Sequence, residues 1–373
     1  MKVVIINCFD TYGHRVDLIE DYFEQSGHSV TRIESDFLHF EKRQRISFKY
    51  NSVIVPTRPY KKNLSFTRML SHYEFARKAV QEAMKISPDL LYVLLPPNAL
   101  AKYSSYYKSV KNDITLIFDL IDLWPETLPV NYLKDAFPFQ IWRNLRDKFL
   151  NKADYIISEC DLYLKVLHGK FINIPTATLY LARNASDIVS YPKYISEDVH
   201  ICWLGSINNI IDISGIVDLI KIISLYKPVV FHIIGDGESK ISLIHESKKA
   251  GATVVDHGVI YDRAQKQVIF DQCRIALNMM KDSVCVGLTM KSIDYFEAGV
   301  PLVNSIPGDT AELVEKYKSG FNINKNNLNE IAKQIAMMEY EDYLKIHNNT
   351  RQVFLDTFTS EVFIKKLDQL FES

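Results

Sequence analysis

The chain alternates between short apolar runs and longer amphipathic stretches, and it does so in both halves. KVVIIN, DLLYVLL and ITLIFDL belong to the first half, and HICWLG, VVFHIIGDG and PLVNS belong to the second. Because these runs are apolar almost throughout, they predict parallel strands that helices cover on both faces. We therefore expect an α/β protein built from two doubly wound, Rossmann-like domains.

The periodicity weakens between residues 175 and 198, where prolines and polar residues interrupt it, and this segment is the expected linker. The N-terminal domain is predicted over residues 1–185 and the C-terminal domain over 190–357. A final helix within 358–373 is expected to pack back on the first domain. Ligands of doubly wound sheets bind beyond the carboxyl ends of the strands, so we expect the two domains to face each other across a ligand-binding cleft.

Charge is distributed unevenly along the chain. The formal net charge of −1 argues against a nucleic-acid-binding protein. Segment 41–85 is nevertheless basic, with eleven Lys and Arg residues against three Glu. A solvated surface explains this bias, and so does a surface for anionic lipid headgroups or for a pyrophosphate-linked substrate.

The five cysteines are widely scattered, and none of them belongs to a CxxC or Cys/His metal-binding pattern. We interpret them as reduced, mostly buried thiols. The N-terminus lacks the long apolar core of a leader peptide, and no run of about 18 apolar residues occurs. These features predict a cytoplasmic protein, whose membrane contact would be peripheral and at the inner face of the cell membrane.

The stretch VGLTMKSIDYFEAGVP, residues 286–301, predicts a helix over 290–298 that begins near Thr289 and ends at Gly299. Lys291 and Asp294 are three residues apart, so they are expected on one helix face. The free N–H groups of a helix N-terminus attract phosphate, and a lysine there adds a full positive charge. Asp294 can accept hydrogen bonds from ribose hydroxyls. A weak surface ion pair between the two residues is the alternative interpretation.

Acidic residues follow an apolar strand in FDLIDLWPETLP, residues 118–129. Asp119, Asp122 and Glu126 could orient sugar hydroxyls there or deprotonate an acceptor hydroxyl. Helix capping by Asp122 ahead of Pro125 is the alternative.

The turn TYGHRVD follows the first strand, at residues 11–17. Gly13, His14 and Arg15 are expected to meet an anionic or acceptor group in this turn, unless Arg15 is merely solvated.

WLGSINNIIDI, FHIIGDGE, VDHGVI, VGLTMKSIDYFEAGVPLVNS and GDTAELVEKYKSGF follow one another over residues 200–323. In order and spacing these segments resemble the retaining glycosyltransferases of the GT-B fold, family four. DLIDLWPETLP is similar to a segment of family members that build bacterial surface polysaccharides. The resemblance implies a metal-independent hexosyltransferase without a cofactor. Its donor would be a nucleoside-diphosphate sugar, expected to be a UDP-sugar, and its acceptor a lipid-linked or saccharide molecule in capsule or related polysaccharide synthesis.

The resemblance also assigns roles to residues. Asp122, with Asp119 and Glu126, would act on the transferred sugar and the acceptor, and Gly13, His14 and Arg15 would bind the acceptor or a phosphate. The donor-binding set is Gly205, Gly235, Asp236, Gly258, Val259, Leu288, Thr289, Met290, Lys291 and Asp294.

Two departures from the family pattern keep an alternative open. Val286 stands where the family has a Glu, and SINNIIDIS lacks the basic pair that binds pyrophosphate in the family. The alternative is a catalytically silent GT-B protein that binds and stabilises a partner glycosyltransferase.

Overall fold

The computed structural model of the protein describes residues 1–128, 136–186, 190–193 and 197–371. The chain divides into two compact units, Met1–Arg183 with Ser360–Ser373, and Asn184–Thr359. In the described ranges, no helix is long and apolar enough to cross a membrane.

The first unit is a parallel sheet with helices around it. Its strands are β1 (Lys2–Asn7), β2 (Ser29–Ser35), β3 (Phe37–Leu38), β4 (Arg43–Gln44), β5 (Ser52–Val55), β6 (Leu90–Leu95), β7 (Thr115–Leu120), β8 (Tyr155–Ser158) and β9 (Thr176–Thr178). Its helices are α1 (Gly13–Gln25), α2 (Phe66–Ile86), α3 (Ala99–Val110), α4 (Phe137–Asp147), α5 (Asp161–Val166) and α13 (Ser360–Phe371). The sheet order is β5-β2-β1-β6-β7-β8-β9, and β3 pairs with β4 in a separate antiparallel ribbon.

The core of the first unit lies between the sheet and its helices, and β6 is buried at every position. The last helix of the chain, α13, joins this core through Phe363 and Leu367. The Phe371 ring lies 5.3 Å from the ring of Phe23 on α1, measured between centroids. The C-terminal end of the chain therefore completes the unit that the N-terminal end begins.

The second unit repeats this architecture. Its strands are β10 (Val199–Leu204), β11 (Val229–Ile234), β12 (Ala252–Gly258), β13 (Ile275–Asn278), β14 (Leu302–Asn304) and β15 (Gly320–Asn322). Its helices are α6 (Ile213–Ser224), α7 (Lys240–Lys249), α8 (Arg263–Phe270), α9 (Met290–Ala298), α10 (Asp309–Tyr317), α11 (Leu328–Ala336) and α12 (Tyr340–Thr357). The parallel sheet has the order β12-β11-β10-β13-β14-β15.

The expected α/β fold with two Rossmann-like parallel sheets is confirmed. In both sheets the strand order reverses direction once, between β1 and β6 and between β10 and β13. Ligands of such sheets bind at the carboxyl ends of the strands beside this reversal. A ligand site of the second unit is therefore expected at the loops that follow β10 and β13.

Helix α12 was not predicted from the sequence. It is polar over most of its length, and the side chains that it buries include Tyr343, His347, Thr350 and Phe354. Their helical spacing is regular, but two of the four are polar, so the apolar periodicity that indicates a helix is weak.

Candidate functional site

Helix α9 begins beside the strand-order reversal of the second sheet, as the sequence predicts. The Thr289 side chain caps it by accepting a hydrogen bond from the Ser292 N–H, and Gly299 ends it in the left-handed conformation with φ of 78°. Thr289 also donates to Asn278 Oδ1 at 3.1 Å, which fixes the cap to the end of β13. The helix N-terminus is thereby held at the carboxyl edge of the sheet.

A row of asparagines, which was not predicted from the sequence, supports this edge. Asn278, Asn304 and Asn322 are in register across β13, β14 and β15. The amide nitrogen of Asn278 donates to Asn304 Oδ1, and that of Asn304 donates to Asn322 Oδ1, each at 2.9 Å. The available signal was an asparagine at the end of each of three consecutive apolar strands.

Lys291 lies inside the first turn of α9 and faces the sheet. It is 9% exposed, and its Nζ lies 3.3 Å from the centroid of the Trp203 ring on β10. Burial lowers the pKa of Lys291 well below its ordinary value. Within the described ranges no carboxylate pairs with this ammonium group. An aromatic face offsets only part of the cost of desolvating a cation, so an anion at this position would be strongly favoured.

The Asp294 side chain points in another direction than expected, because it pairs with a residue of the neighbouring helix α8. Lys266 of α8 donates to its Oδ1 at 2.6 Å, and each side chain is 13% exposed. Lys291 contacts Trp203 instead, so the expected convergence of Lys291 and Asp294 on one chemical face is wrong. Helix α9 has nine residues, and packing against α8 directs the Asp294 side chain towards Lys266 rather than towards Lys291. Its ribose role remains a prediction.

Gly205 and Gly235 directly follow β10 and β11, Gly258 ends the adjacent β12, and their backbones are hydrogen-bonded to one another. The N–H of Gly205 donates to the Ile234 carbonyl at 2.8 Å, and the N–H of Gly235 donates to the Gly258 carbonyl at 2.7 Å. A Cβ on Gly235, whose φ is 148°, would lie 2.1 Å from the Gly205 oxygen. Glycine is thus required at 235 for packing between loops, and this requirement is separate from any ligand.

The remaining donor-set residues lie at the surface of the same edge. Asp236 is exposed and its carboxylate accepts the Gly237 N–H at 2.8 Å. Val259 and Met290 are 52% and 53% exposed, whereas Leu288 is half-buried. A cavity of about 640 Å³ also opens in this unit, and its lining includes Asp212, Met280, Lys281, Ser305 and Lys325. These lining residues were not singled out from the sequence.

In the first unit, Arg15 and Asp119 are engaged with each other. Arg15 Nε and Nη2 donate to the two Asp119 oxygens at 2.7 and 2.8 Å, and its Nη1 donates to the Leu179 carbonyl at 2.7 Å. Asp119 also accepts from the Tyr92 hydroxyl and is fully buried. The expectations that Arg15 meets a ligand and that Asp119 acts on a sugar are therefore wrong, because each satisfies the other inside the core.

Glu126 is likewise occupied by arginines. Its two oxygens lie 2.9 and 3.0 Å from Nη2 and Nη1 of Arg146, a fully buried residue of α4, and Arg143 Nε lies 2.9 Å from Oε1. Glu126 thus has a structural role as the counter-ion of Arg146, and its expected catalytic role remains a prediction. A buried arginine needs a carboxylate, and no pattern in the sequence shows which acid supplies it.

Asp122 is the one member of the predicted acid set that has no cationic partner within ion-pair distance in the described ranges. Its Oδ1 accepts from the Leu123 N–H at 2.8 Å and from the Thr127 hydroxyl at 2.6 Å, inside a turn rather than at a helix cap. Burial raises the pKa of Asp122, against the opposing effect of these hydrogen bonds.

Glu159 is a second acid beside Asp122, and it was not predicted from the sequence. Leu120 and Ser158 are in register at the ends of β7 and β8, which brings the residues that follow them together. Glu159 Oε2 is buried without a hydrogen-bond partner. Burial, and then the charge of Asp122, raise the pKa of Glu159 well above its ordinary value. Two carboxyl groups at one strand edge with raised pKa values are suited to general acid or base chemistry. The signal was an acid directly after the apolar strand YIIS.

Gly13 and His14 lie in the first turn of α1, next to the strand-order reversal of the first sheet. A Cβ on Gly13 would meet no atom within 4 Å, and His14 is exposed. Their expected contact with an acceptor or phosphate remains a prediction.

Comparisons with known proteins agree with these features. Residues 198–339 match the family model described as glycosyl transferases group 1. No curated protein matches the chain in sequence.

Among solved structures, the sucrose-phosphate synthase of Thermosynechococcus elongatus superposes with a TM-score of 0.69 at 12% identity, covering 100% of this chain and 98% of that one. The lipopolysaccharide outer core galactosyltransferase WaaB gives 0.69 at 13% identity, with coverages of 100% and 99%. Anabaena HepE in complex with UDP gives 0.70 at 13% identity, with both chains fully covered. At these identities the likeness shows the fold. The second unit thus carries a group 1 glycosyltransferase domain, and the chain as a whole has the α/β fold of the GT-B glycosyltransferases.

Proposed function

We propose that the protein transfers a hexose with retention from a nucleoside-diphosphate sugar, specifically a UDP-sugar, to a lipid-linked or saccharide acceptor. The product would be a bacterial surface polysaccharide such as a capsule. The reaction would need neither a metal nor a cofactor, and the enzyme would work in the cytoplasm at the inner face of the membrane.

The observation that carries this proposal is the buried Lys291 ammonium in the first turn of α9. Its Nζ contacts the Trp203 ring at 3.3 Å, and the described ranges supply it with no carboxylate. The N–H groups at the start of α9 point beyond the carboxyl edge of the sheet, where the helix dipole favours negative charge. A diphosphate at this edge would favour the protonated form of Lys291, which burial otherwise disfavours, and the resulting charge would stabilise the diphosphate as it departs from the sugar.

Two further observations support a nucleotide sugar as donor. Solved structures of HepE contain UDP, UDP with glucose, or UDP-glucose. The exposed turns at Asp236 and Val259 offer backbone groups for a base.

The first unit would supply the groups that act on the acceptor. Asp122 and Glu159 end two adjacent strands, and both have raised pKa values. One of them held neutral at physiological pH can donate a hydrogen bond, while the other can orient an acceptor hydroxyl. In a retaining transfer the departing diphosphate would help to accept the acceptor's proton.

Two proteins of similar structure support the surface-polysaccharide role. WaaB is described as a lipopolysaccharide outer core galactosyltransferase, and WaaG as a glycosyltransferase involved in lipopolysaccharide biosynthesis. WaaG superposes with a TM-score of 0.66 at 11% identity over all of both chains.

A catalytically silent protein that stabilises a partner glycosyltransferase is the second candidate. It is favoured by Val286, which occupies a position where an acid would contact the donor, and by the loop after β10, which contains no Lys or Arg between residues 206 and 214. Beyond this loop the next basic residues are Lys221, Lys227 and Lys240. Of these, Lys240 already pairs with Asp256, with 2.8 Å between its Nζ and Oδ1 of the aspartate.

The first experiment measures thermal unfolding with UDP, GDP, dTDP, ADP and their sugars, each with EDTA and with Mg²⁺. A ligand at 100 times its Kd stabilises the folded state by about 2.7 kcal/mol. We expect UDP and a UDP-sugar to raise the Tm equally with and without the metal. If no nucleotide raises it, the silent-partner candidate is favoured.

Variants then locate the donor site. We expect Lys291→Met to weaken UDP binding about tenfold or more, since a charge-assisted contact contributes about 1.5–3 kcal/mol. Lys249→Met is the matched control, because Lys249 lies on α7 of the same unit with its side chain 61% exposed. Asp294→Asn tests the ribose role, and Lys266→Met removes the partner of Asp294 while keeping its carboxylate. Unchanged UDP affinity in Asp294→Asn would reject that role.

A further inference from the structure

Arg68, in the first turn of α2, is a buried cation without a counter-ion. It is 4% exposed, and its Nη1 donates to the Asn63 carbonyl at 2.6 Å. Its Nε and Nη2 are buried and make no hydrogen bond. The guanidinium carbon lies 4.1 Å from the centroid of the Trp124 ring and 5.7 Å from that of Tyr60. Nε and Nη2 therefore face an aromatic enclosure in which, within the described ranges, no carboxylate pairs with Arg68, and only the Tyr60 hydroxyl is a nearby interacting oxygen besides the Asn63 carbonyl.

The other buried arginines of the described ranges each have carboxylate or carbonyl partners, although Nε of Arg32 is also without a hydrogen bond. Arg15, Arg32 and Arg146 each pair with at least one carboxylate. Arg274 donates to backbone carbonyls of Ile335, Ala336 and Asp198. Arg68 differs because no carboxylate of the described ranges lies within ion-pair distance of it. Burial lowers its pKa, and the opposing effects of Tyr60, Cys8 and then Asp122 do not offset this. A buried charge left this way is costly to the folded protein.

Further donors surround Arg68. His72 lies one turn further along α2, is 3% exposed, and has both ring nitrogens buried without a hydrogen-bond partner. Its ring stacks on Trp124 at a centroid distance of 5.7 Å and an interplanar angle of 12°. Lys42 approaches from the other side, with its Nζ 4.9 Å from the Tyr60 centroid. Lys42 also donates to the Asn63 side chain, so Asn63 covers the enclosure.

We propose that Arg68, His72 and Lys42 form an anion pocket, which binds a phosphate group. The unused Nε and Nη2 of Arg68 match two oxygens of a phosphate, and His72 and Lys42 can each donate to a further oxygen. A phosphate accepts this many donors more readily than a carboxylate does, because it has three terminal oxygens. The anion would take over the contacts that Asn63 now makes with Arg68 and Lys42.

The position of the anion pocket fits a phosphate carried by the acceptor. The Trp124 ring that lies over Arg68 belongs to the turn that begins at Asp122, so the pocket lies near the acid pair of the first unit. Leu64 and Phe66, beside the covering residue Asn63, are 53% and 79% exposed. Apolar side chains at the entrance would suit a lipid-linked phosphate. This assignment to the acceptor rests on the proposed function, whereas phosphate binding by the pocket does not.

The test compares inorganic phosphate, inorganic pyrophosphate and geranyl diphosphate as ligands, by thermal unfolding and calorimetry at constant ionic strength. We expect all three to bind the wild-type protein, and Arg68→Met to weaken each about tenfold or more. Arg77→Met is the matched control, because Arg77 is an exposed arginine of the same helix. Stronger binding of geranyl diphosphate than of inorganic pyrophosphate would identify a lipid-linked phosphate, and equal binding of these two would identify the free ion. Absence of binding by the wild type, or full binding by Arg68→Met, would overturn the proposal.

Stability of the unliganded variant separates ligand binding from a structural role. Removing an unpaired buried charge in favour of an apolar side chain of similar length is neutral or stabilising, so Arg68→Met should unfold at the wild-type temperature or above it. A large loss of stability would contradict the pocket. Lys42→Met provides a second variant, which should weaken phosphate binding without touching the core of α2. UDP binding by the wild-type protein is measured in parallel. If the wild type binds phosphate but not UDP, the donor proposal alone is rejected.

Discussion

Arg15 and Asp119 form a bidentate ion pair inside the first unit, with nitrogen to oxygen distances of 2.7 and 2.8 Å. The two residues are 104 positions apart in the chain and are 3% and 0% exposed. Arg15 lies on α1 and Asp119 on β7. The guanidinium carbon of Arg15 also lies 5.2 Å from the centroid of the Phe363 ring on α13. The pair therefore joins three elements of the unit, and its role is structural.

Asp119→Asn should destabilise the protein strongly. It leaves the Arg15 charge buried and uncompensated, and breaking such a pair costs about 3–5 kcal/mol. Urea unfolding measures the loss. The double variant Arg15→Met with Asp119→Leu should recover most of it, because no buried charge remains. A stable Asp119→Asn protein with lost activity would instead indicate that Asp119 acts in catalysis.

Glu159→Gln should leave stability unchanged or raised. Burial raises the pKa of Glu159 well above its ordinary value, so the neutral form is already favoured and an amide resembles it. If the acid pair takes part in proton transfer, sugar transfer should fall by about 10²–10⁴. Urea unfolding and a transfer assay give the two results, with Glu246→Gln on exposed α7 as the control. Wild-type transfer rates would exclude Glu159 from the reaction.

Gly235→Ala should destabilise the second unit. The added Cβ would lie 2.1 Å from the Gly205 carbonyl oxygen, and φ of 148° is unfavourable for alanine. Backbone atoms cannot move aside as a side chain can, so we expect a loss of about 2 kcal/mol or more. Gly13→Ala, which meets no atom within 4 Å, is the contrasting control for unfolding measurements. Equal stability of the two variants would contradict this packing.

Three histidines on adjacent strands should make the second unit sensitive to acid. His200 Nδ1 lies 2.9 Å from His232 Nε2, and His232 Nδ1 lies 3.0 Å from His257 Nε2. Burial and the neighbouring rings lower the pKa of His232 to about 4, and burial also lowers those of His200 and His257.

The sign of the effect follows from these pKa values. An unfolded histidine binds a proton with a pKa of about 6.5, so the unfolded state takes up protons first as the pH falls. The free energy of unfolding should therefore be highest above about pH 6.5 and decrease towards pH 4. His232→Gln should flatten this decrease in thermal unfolding. His245→Gln, which changes a residue whose side chain is 63% exposed, should keep the wild-type slope. A His232→Gln slope equal to the wild type would show that other groups cause the acid sensitivity.

Elements whose bounds are set by residues close in sequence could be predicted from local signals. The bounds of α9 were predicted from the cap at Thr289, the apolar spacing and Gly299, and each of these acts within one or two turns. The two parallel sheets were predicted from apolar strands alone, because strands buried on both faces need helices on both sides.

Pairing between distant charges could not be predicted in the same way. Asp119, Asp122 and Glu126 are close in sequence, yet Asp119 pairs with Arg15 and Glu126 pairs with Arg146, while Asp122 pairs with neither. The sequence supplied the residue types, but burial and proximity in three dimensions determine which acid neutralises which base.

The sequence by itself determined the α/β class, the helix α9 and the turns at the ends of the strands, because these follow from backbone propensity and from short-range periodicity. Only the tertiary structure decided which charged groups remain without a partner. Lys291 against Trp203 and Arg68 against Trp124 are both buried cations stacked on an indole. Their chemistry depends on desolvation, which is a property of the surrounding atoms rather than of the residue.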